Sequence, residues 1–245
     1  MFEKRVNLFG VLVDDISLLR AISLARVSIL GGGRRVFFTP NLEMIEGARK
    51  SEEIRTLLNS AQVLLPDGVS LLLMSRLISE PMENRVAGID FGEELIALSE
   101  KEEARVFLLG AKRGVAKKAA KKLLQRHKNL KICGIHNGYF SNEDEGEVIS
   151  KIQNANPDVL IVCMGFPRQE KFVYKHQKDF ESIKVIACLG GAFDIWSGRR
   201  ARAPRIIQKA GLEWCWRLFT EPSRAKRFFS SLPALFYASW NEGTK

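Results

Sequence analysis

The sequence predicts an α/β protein, a Rossmann-like, mostly parallel sheet with helices on both faces and a C-terminal helical appendage. Three observations carry that expectation. Short apolar runs alternate with helix-period segments through most of the chain. Runs such as Val159-Leu-Ile-Val-Cys-Met164 are apolar throughout, as in strands buried within a parallel sheet. Beyond Arg199 the composition turns basic and aromatic. The 245 residues, 46% hydrophobic, suit one α/β domain over 1–198 and an appendage over 199–245.

Taken in order, Val6–Val13 reads as a strand or hairpin and Ser17–Leu30 as a helix, ended by Gly31-Gly-Gly33 through left-handed C-cap geometry. Arg35–Phe38 is a strand and Leu42–Asn59 a helix; Gln62–Leu65 is a strand and Val69–Ile78 a helix. A helix to about Ser99 follows Arg85-Val-Ala-Gly-Ile-Asp90. Strands at Arg105–Leu109, Lys131–Ile135, Val159–Met164 and Lys184–Leu189 then alternate with helices at Val115–Arg126, Glu145–Asn154 and Gln169–Gln177. Right-handed crossovers keep the C-terminal ends of such strands on one rim, the edge at which open α/β sheets bind ligands. The tail from about Ala203 is helical by pattern and is interrupted at Pro222 and Pro233.

Several classes of function are disfavoured. The four cysteines have no CxxC spacing, and Cys133, Cys163 and Cys188 lie in or beside apolar runs, as reduced core thiols of a cytosolic protein do. The three histidines form no HxxxH or HExxH pattern, which argues against a zinc site. No apolar stretch approaches the ~20 residues that span a bilayer, and Asp14 and Asp15 interrupt any signal-peptide core. The chain is read as soluble or membrane-peripheral. A net charge of +10 calls for an anionic partner: nucleic acid, a membrane surface or an acidic substrate. The cations between Lys112 and Lys131 read as a helix face. In the tail, Arg199, Arg200, Arg202, Arg205, Lys209, Arg217, Arg224, Lys226 and Arg227 are opposed only by Glu213 and Glu221. Arginine interleaved with aromatic rings suits either a bilayer surface or a nucleic-acid strand.

The chemistry gathers where apolar runs end. Gly165-Phe-Pro-Arg-Gln-Glu170 follows one run, Thr39-Pro-Asn41 another, Pro66-Asp-Gly68 a third, and Gly190-Gly-Ala-Phe-Asp194 a fourth. Strand ends in one sheet could bring Thr39, Asn41, Asp67, Gln169 and Asp194 into one crevice. Asp67 has two readings, a helix N-cap or a general base. Thr39 and Asn41 face the rim because Pro40 keeps Thr39 extended, although Asn41 could equally cap the next helix. Leu109-Gly-Ala-Lys-Arg-Gly-Val115 is a glycine-rich strand-to-helix turn, but it is neither GxGxxG nor a P-loop, which disfavours an NAD-type oxidoreductase. Tyr139, in Gly138-Tyr-Phe140, either packs in the core or stacks on a nucleobase; Asp194 either makes a turn or accepts a ring N–H.

In order, Thr39-Pro-Asn41, Pro66-Asp-Gly68, Arg85-Val-Ala-Gly-Ile-Asp90, Gly138-Tyr-Phe140, Gly165-Phe-Pro-Arg-Gln-Glu170, Gly191-Ala-Phe-Asp194, Arg202-Ala-Pro204 and Gly211-Leu-Glu-Trp214 with Arg217-Leu218 resemble the WecG/TagA/CpsF family of glycosyltransferases. The ordered set is specific where each segment alone is weak. The resemblance implies an inverting, metal-independent transfer of N-acetylmannosamine from UDP to undecaprenyl-diphosphate-linked N-acetylglucosamine, an early step of teichoic acid linkage-unit synthesis. Family members that use UDP-N-acetylmannosaminuronate or UDP-glucose are the alternatives, and a nucleic-acid-binding Rossmann-like module is the competitor from another class. It implies Asp67 as base, with Thr39, Asn41 and Gln169 positioning the donor and Arg85 beside the reacting groups. Gly165 would line the donor site, and Tyr139 and Asp194 would hold the uracil. Arg217, Arg224 and Arg227 would bind the lipid diphosphate or close over the donor. No cofactor or metal is expected. The partners expected are a UDP-sugar, a polyprenyl-diphosphate-linked acceptor and an anionic membrane on its cytoplasmic face, with no nucleic acid and a possible homo-oligomer.

Overall fold

The structure is a computed structural model and describes residues 4–209, Glu213, Trp216 and 229–242. The chain divides into two compact units, one of Met1–Ser17, Thr39–Ala87 and Arg202–Lys245, the other of Leu18–Phe38 and Gly88–Ala201.

The second unit carries the parallel sheet. Five of its strands lie here, β3 (Arg35–Phe38), β5 (Arg105–Gly110), β6 (Lys131–His136), β7 (Val159–Cys163) and β8 (Val185–Cys188), in the order β3-β8-β7-β5-β6. Every pairing among them is parallel. All residues of β7 and β8 are buried, which is why those strands read as unbroken apolar runs. β6 is the edge strand and is only half-buried. A side chain at Gly134 would strike the Phe107 ring, and the β5–β6 register shifts between Val106 and Phe107 beside it.

Helices α1 (Leu18–Ile29), α5 (Gly88–Lys101), α6 (Val115–Arg126), α7 (Glu145–Ala155), α8 (Arg168–Lys175) and α9 (Ala192–Trp196) flank this sheet. α1 packs on α5, β3 and β8, and α6 on α9, β5 and β6. Gly92 lets α5 approach closely, because a Cβ there would meet Leu189 and the Trp196 ring. The chain leaves β5 toward β6 and leaves β7 toward β8, on opposite sides. The reversal between β5 and β7 makes a topological switch point, the place at which open α/β sheets bind ligands.

The first unit holds an antiparallel hairpin of β1 (Arg5–Leu8) and β2 (Val11–Asp14), strand β4 (Val63–Leu64), and helices α2 (Leu42–Lys50), α3 (Glu52–Asn59), α4 (Val69–Leu77), α10 (Arg205–Lys209) and α11 (Pro233–Glu242). Buried Asp14 joins the hairpin to β4. Its Oδ1 pairs with Arg5 Nε at 2.8 Å and its Oδ2 accepts the Leu64 N–H at 2.7 Å. α11 packs on α2 and α4, with Tyr237 under the Arg49 guanidinium at 4.7 Å.

The single helix expected over Leu42–Asn59 is two. Ser51 is extended (φ −138°, ψ 120°), and its Oγ accepts the Ile54 N–H at 3.4 Å, so a serine that reads as helix interior starts a new helix.

Candidate functional site

In the first unit three loops are stitched by backbone hydrogen bonds. The Asp67 N–H donates to Pro40 O at 3.0 Å, and the Val86 N–H donates to Pro66 O at 3.0 Å. Thr39-Pro-Asn41, Pro66-Asp-Gly68 and the start of Arg85-Val-Ala-Gly88 therefore form one patch, and four sequence-predicted residues come together: Thr39, Asn41, Asp67 and Arg85. Their environments differ. Asn41 is the N-cap of α2, its Oδ1 accepting the Met44 N–H at 3.2 Å, so that oxygen is committed to the helix. Thr39 is buried.

Asp67 does not cap α4. The N-cap is Gly68, at φ +105° and without a side-chain capping bond. That backbone region strains any residue with a Cβ, so glycine takes the cap and Asp67 sits one residue outside the helix, half-buried.

Arg85 is half-buried and anchored from the tail segment. Its Nη1 lies 3.7 Å from Glu213 Oε2, and its Nη2 donates to Gln208 O at 3.5 Å. Glu213 Oε1 also pairs with Arg202 Nε at 3.3 Å. Glu213, itself paired with Arg202, and the Gln208 carbonyl thus hold Arg85. Arg217, Arg224 and Arg227 lie outside the described residues, as does Cys215.

In the second unit the loops after β5, β6, β7 and β8 meet at the switch point. A Cβ on Gly138 would press on Met164 Cγ, Gly110 Cα and Ala111 N, so the β6 loop crosses the ends of β5 and β7 only because residue 138 is glycine. Tyr139 follows, 65% exposed, which excludes the core-packing reading of its ring. Arg168, the first residue of α8, reaches back over this loop. Its Nη2 donates to Phe140 O at 2.8 Å, and its guanidinium lies 5.0 Å from the Phe140 ring and 5.9 Å from the Tyr139 ring. Nearby, Arg113, Gly114, Lys117, Ile135, His136 and Asn137 line a concavity of about 370 Å³ at the N-terminus of α6. The start of that helix and the two cations favour an anion there.

Gln169 is buried beneath this rim. Its Oε1 accepts the Gly165 N–H at 3.2 Å and the Gly190 N–H at 3.1 Å, which ties the β7 loop to the β8 loop. Its Nε2 donates to Glu170 Oε1 at 2.7 Å. Gly165 is thereby placed at the rim with its amide already bonded. Asp194, in the first turn of α9, faces two cations, with Oδ1 3.4 Å from Arg199 Nη1 and Oδ2 3.8 Å from Arg200 Nε.

Sequence reasoning passed over Glu170 and Arg168. Glu170 is fully buried, and burial pushes its carboxyl up to about 7 against the lowering influence of the Gln169 hydrogen bond. A helix N-terminus favours an ionised carboxylate, yet here desolvation wins. The signal lay in the spacing, since Glu170 falls on the stripe of Phe172 and Val173. Nearby Cys163 and Cys188 are buried thiols raised by burial, as core cysteines should be. Among the described residues no group of three or more His, Cys, Asp or Glu is arranged to hold a metal ion. No described helix is long and apolar enough to cross a membrane.

The chain is similar to known proteins. The model of the glycosyl transferase WecG/TagA/CpsF family matches residues 6–245. The N-acetylglucosaminyldiphosphoundecaprenol N-acetyl-beta-D-mannosaminyltransferase of Bacillus subtilis (strain 168) is 38% identical over 195 residues, which cover 80% of this chain and 75% of that protein. The enzyme of the same name from Bacillus spizizenii is 32% identical over 88% of this chain and 83% of its own length. That from Staphylococcus aureus (strain MRSA252) is 31% identical over 95% and 91%.

Proposed function

This chain belongs to the WecG/TagA/CpsF family and is a glycosyltransferase, and from that premise we propose that it moves N-acetylmannosamine from a uridine diphosphate donor to N-acetylglucosamine on undecaprenyl diphosphate. The observation that carries the proposal is the shared name of three relatives, each matched over at least four-fifths of this chain, which states both the sugar and the acceptor.

The residues have chemistry suited to it. The rim of the second unit receives the nucleotide. Tyr139 offers an exposed ring face to a base, and Asp194 a carboxylate able to accept a base N–H. Arg168 and the α6 N-terminus supply positive charge for phosphate. Thr39 and the amide nitrogen of Asn41 are polar groups of the patch suited to the sugar. Gln169 acts on the donor from below, through the loops it joins.

The relatives' name specifies a β-linked product. From an α-linked sugar nucleotide this is a single displacement with inversion, in which the acceptor hydroxyl attacks the anomeric carbon, the bond to UDP breaks, and one base takes the proton. Asp67, half-buried and one residue outside α4, is that base. Negative charge then grows on the departing diphosphate. Arginine stabilises it without a metal ion, with Arg85, already oriented by Glu213, and Arg217, Arg224 and Arg227 of the tail as the candidates. The exposed cations of α6 and the basic tail suit the anionic cytoplasmic face of the membrane, where the lipid acceptor resides.

Transfer assays with a panel of UDP-sugars and a synthetic polyprenyl-diphosphate acceptor test this. UDP-N-acetylmannosamine should be the preferred donor, and EDTA should leave the rate unchanged. Asp67→Asn should lower turnover by about 10³-fold while UDP affinity stays near wild type. Wild-type turnover in that variant would remove Asp67 from its role.

A further inference from the structure

A half-compensated buried carboxyl of the second unit lies directly behind the rim. Glu170 is fully buried, and only one of its oxygens is used: Oε1 accepts from Gln169, while Oε2 has no hydrogen-bond partner among the described residues. A buried carboxyl left half-satisfied costs stability. Something other than stability therefore accounts for it.

The geometry around Gln169 points to what that is. A carboxamide can turn over end for end at almost no steric cost, because its oxygen and nitrogen ends have nearly the same shape. Only the surrounding donors and acceptors decide which end faces where. The Gly165 and Gly190 amides are both donors, so the end facing them must be the oxygen. That orientation directs the NH₂ end at residue 170, where an acceptor is required. In the opposite orientation the NH₂ group would confront two N–H groups, and both loops would lose their tie.

We propose that Glu170 is a positioning residue, whose acceptance of a Gln169 N–H selects the carboxamide orientation that joins the loops after β7 and β8. Those loops carry Gly165 and lead into Arg168 and Asp194, so the reading rests on the proposed donor site in its consequence for transfer. It does not rest on it for the geometry. The need is for an acceptor at this point rather than for charge, since the carbonyl oxygen of a neutral carboxyl accepts equally well. Glu170→Gln keeps such an oxygen; Glu170→Met fills the same space without one.

Amide hydrogen exchange followed by NMR reads the tie without any substrate. The Gly165 and Gly190 amides should be protected in the wild type and in Glu170→Gln, and should exchange roughly tenfold faster in Glu170→Met. The Gln169 Nε2 protons of the wild type should exchange slowly, which requires no variant at all. In the transfer assay Glu170→Met should lose about tenfold in kcat/KM for the sugar nucleotide, with a Tm equal to or above wild type, and Glu170→Gln should recover activity to within about threefold. Wild-type exchange rates at both glycines in Glu170→Met would overturn the proposal. So would Glu170→Gln falling as far as Glu170→Met, or a loss of activity that follows a fall in Tm. If the wild type transfers no sugar from any UDP donor, the functional reading fails while the exchange experiment still decides this one.

Discussion

The two ends of α8 carry ionisable groups in opposite circumstances. At the first turn Glu170 is fully buried with one oxygen unpartnered, and burial raises its carboxyl to about 7. At the last turn and just beyond it, Lys175 and His176 are both paired with carboxylates. His176 Nε2 lies 2.6 Å from Glu145 Oε1, its Nδ1 lies 2.8 Å from Asp179 Oδ2, and Lys175 Nζ lies 2.9 Å from Glu145 Oε2. Burial alone would raise the Glu145 carboxyl too, but the hydrogen bonds from Lys175 and His176 outweigh it and hold it below its ordinary value. The same helix thus ends in a cluster that stabilises the fold and begins in one that costs it stability. The costly end is the one beneath the candidate donor site, where local compromise is expected.

Three experiments can break or sharpen that contrast. The largest effect should come from His176→Leu, which leaves Glu145 and Asp179 facing an apolar side chain. It should cost roughly 3–5 kcal/mol in urea unfolding while UDP affinity stays unchanged. A loss of UDP binding without a loss of stability would erase the distinction between the two ends.

Next is the pH dependence of stability at the first turn. The folded carboxyl of Glu170 lies above its unfolded value of 4.5. Between about pH 4.5 and 7 the native state retains a proton that the unfolded chain releases, so its contribution to stability is full below that window and is lost as pH rises through it. Glu170→Gln removes the titration. Its stability relative to wild type should rise across the same window by up to about 3 kcal/mol, at 1.36 kcal/mol per unit. A difference that does not change between pH 4 and pH 8 would contradict the assignment.

The smallest effect belongs to Lys175→Ala. Lys175 is well exposed, and its pair with Glu145 should be worth under about 1 kcal/mol. Because the Glu145 carboxyl is lowered, whatever Lys175 contributes is present at neutral pH and fades as pH falls below the ordinary carboxylate range. A salt-insensitive loss of several kcal/mol would mean that the last-turn cluster is far less solvated than its exposure indicates.

Much of this molecule follows from local rules. β7 and β8 were legible because a strand buried on both faces admits only apolar residues. Helix α6 was legible because Ala116, Ala119, Ala120 and Leu123 repeat at helical spacing. Asn41 and Ser51 obey one capping rule, yet only the first was anticipated, because Ser51 lies inside a continuous helical pattern. Asp67 shows the converse. Its sequence neighbourhood suits a cap, but Gly68, with its positive φ, took that place.

Sequence alone determined the alternation of strand and helix, the polar residues at strand ends, and the ordered motifs that mark the family, because each depends on neighbours within a few positions along the chain. Tertiary structure decided the fates of Gln169 and Glu170. The carboxamide of Gln169 bonds the amide of Gly190, 21 residues away in the chain, and the Glu170 carboxyl titrates according to how much water the whole surrounding core removes. Desolvation is a sum over neighbours in space, and no local pattern of residues contains it.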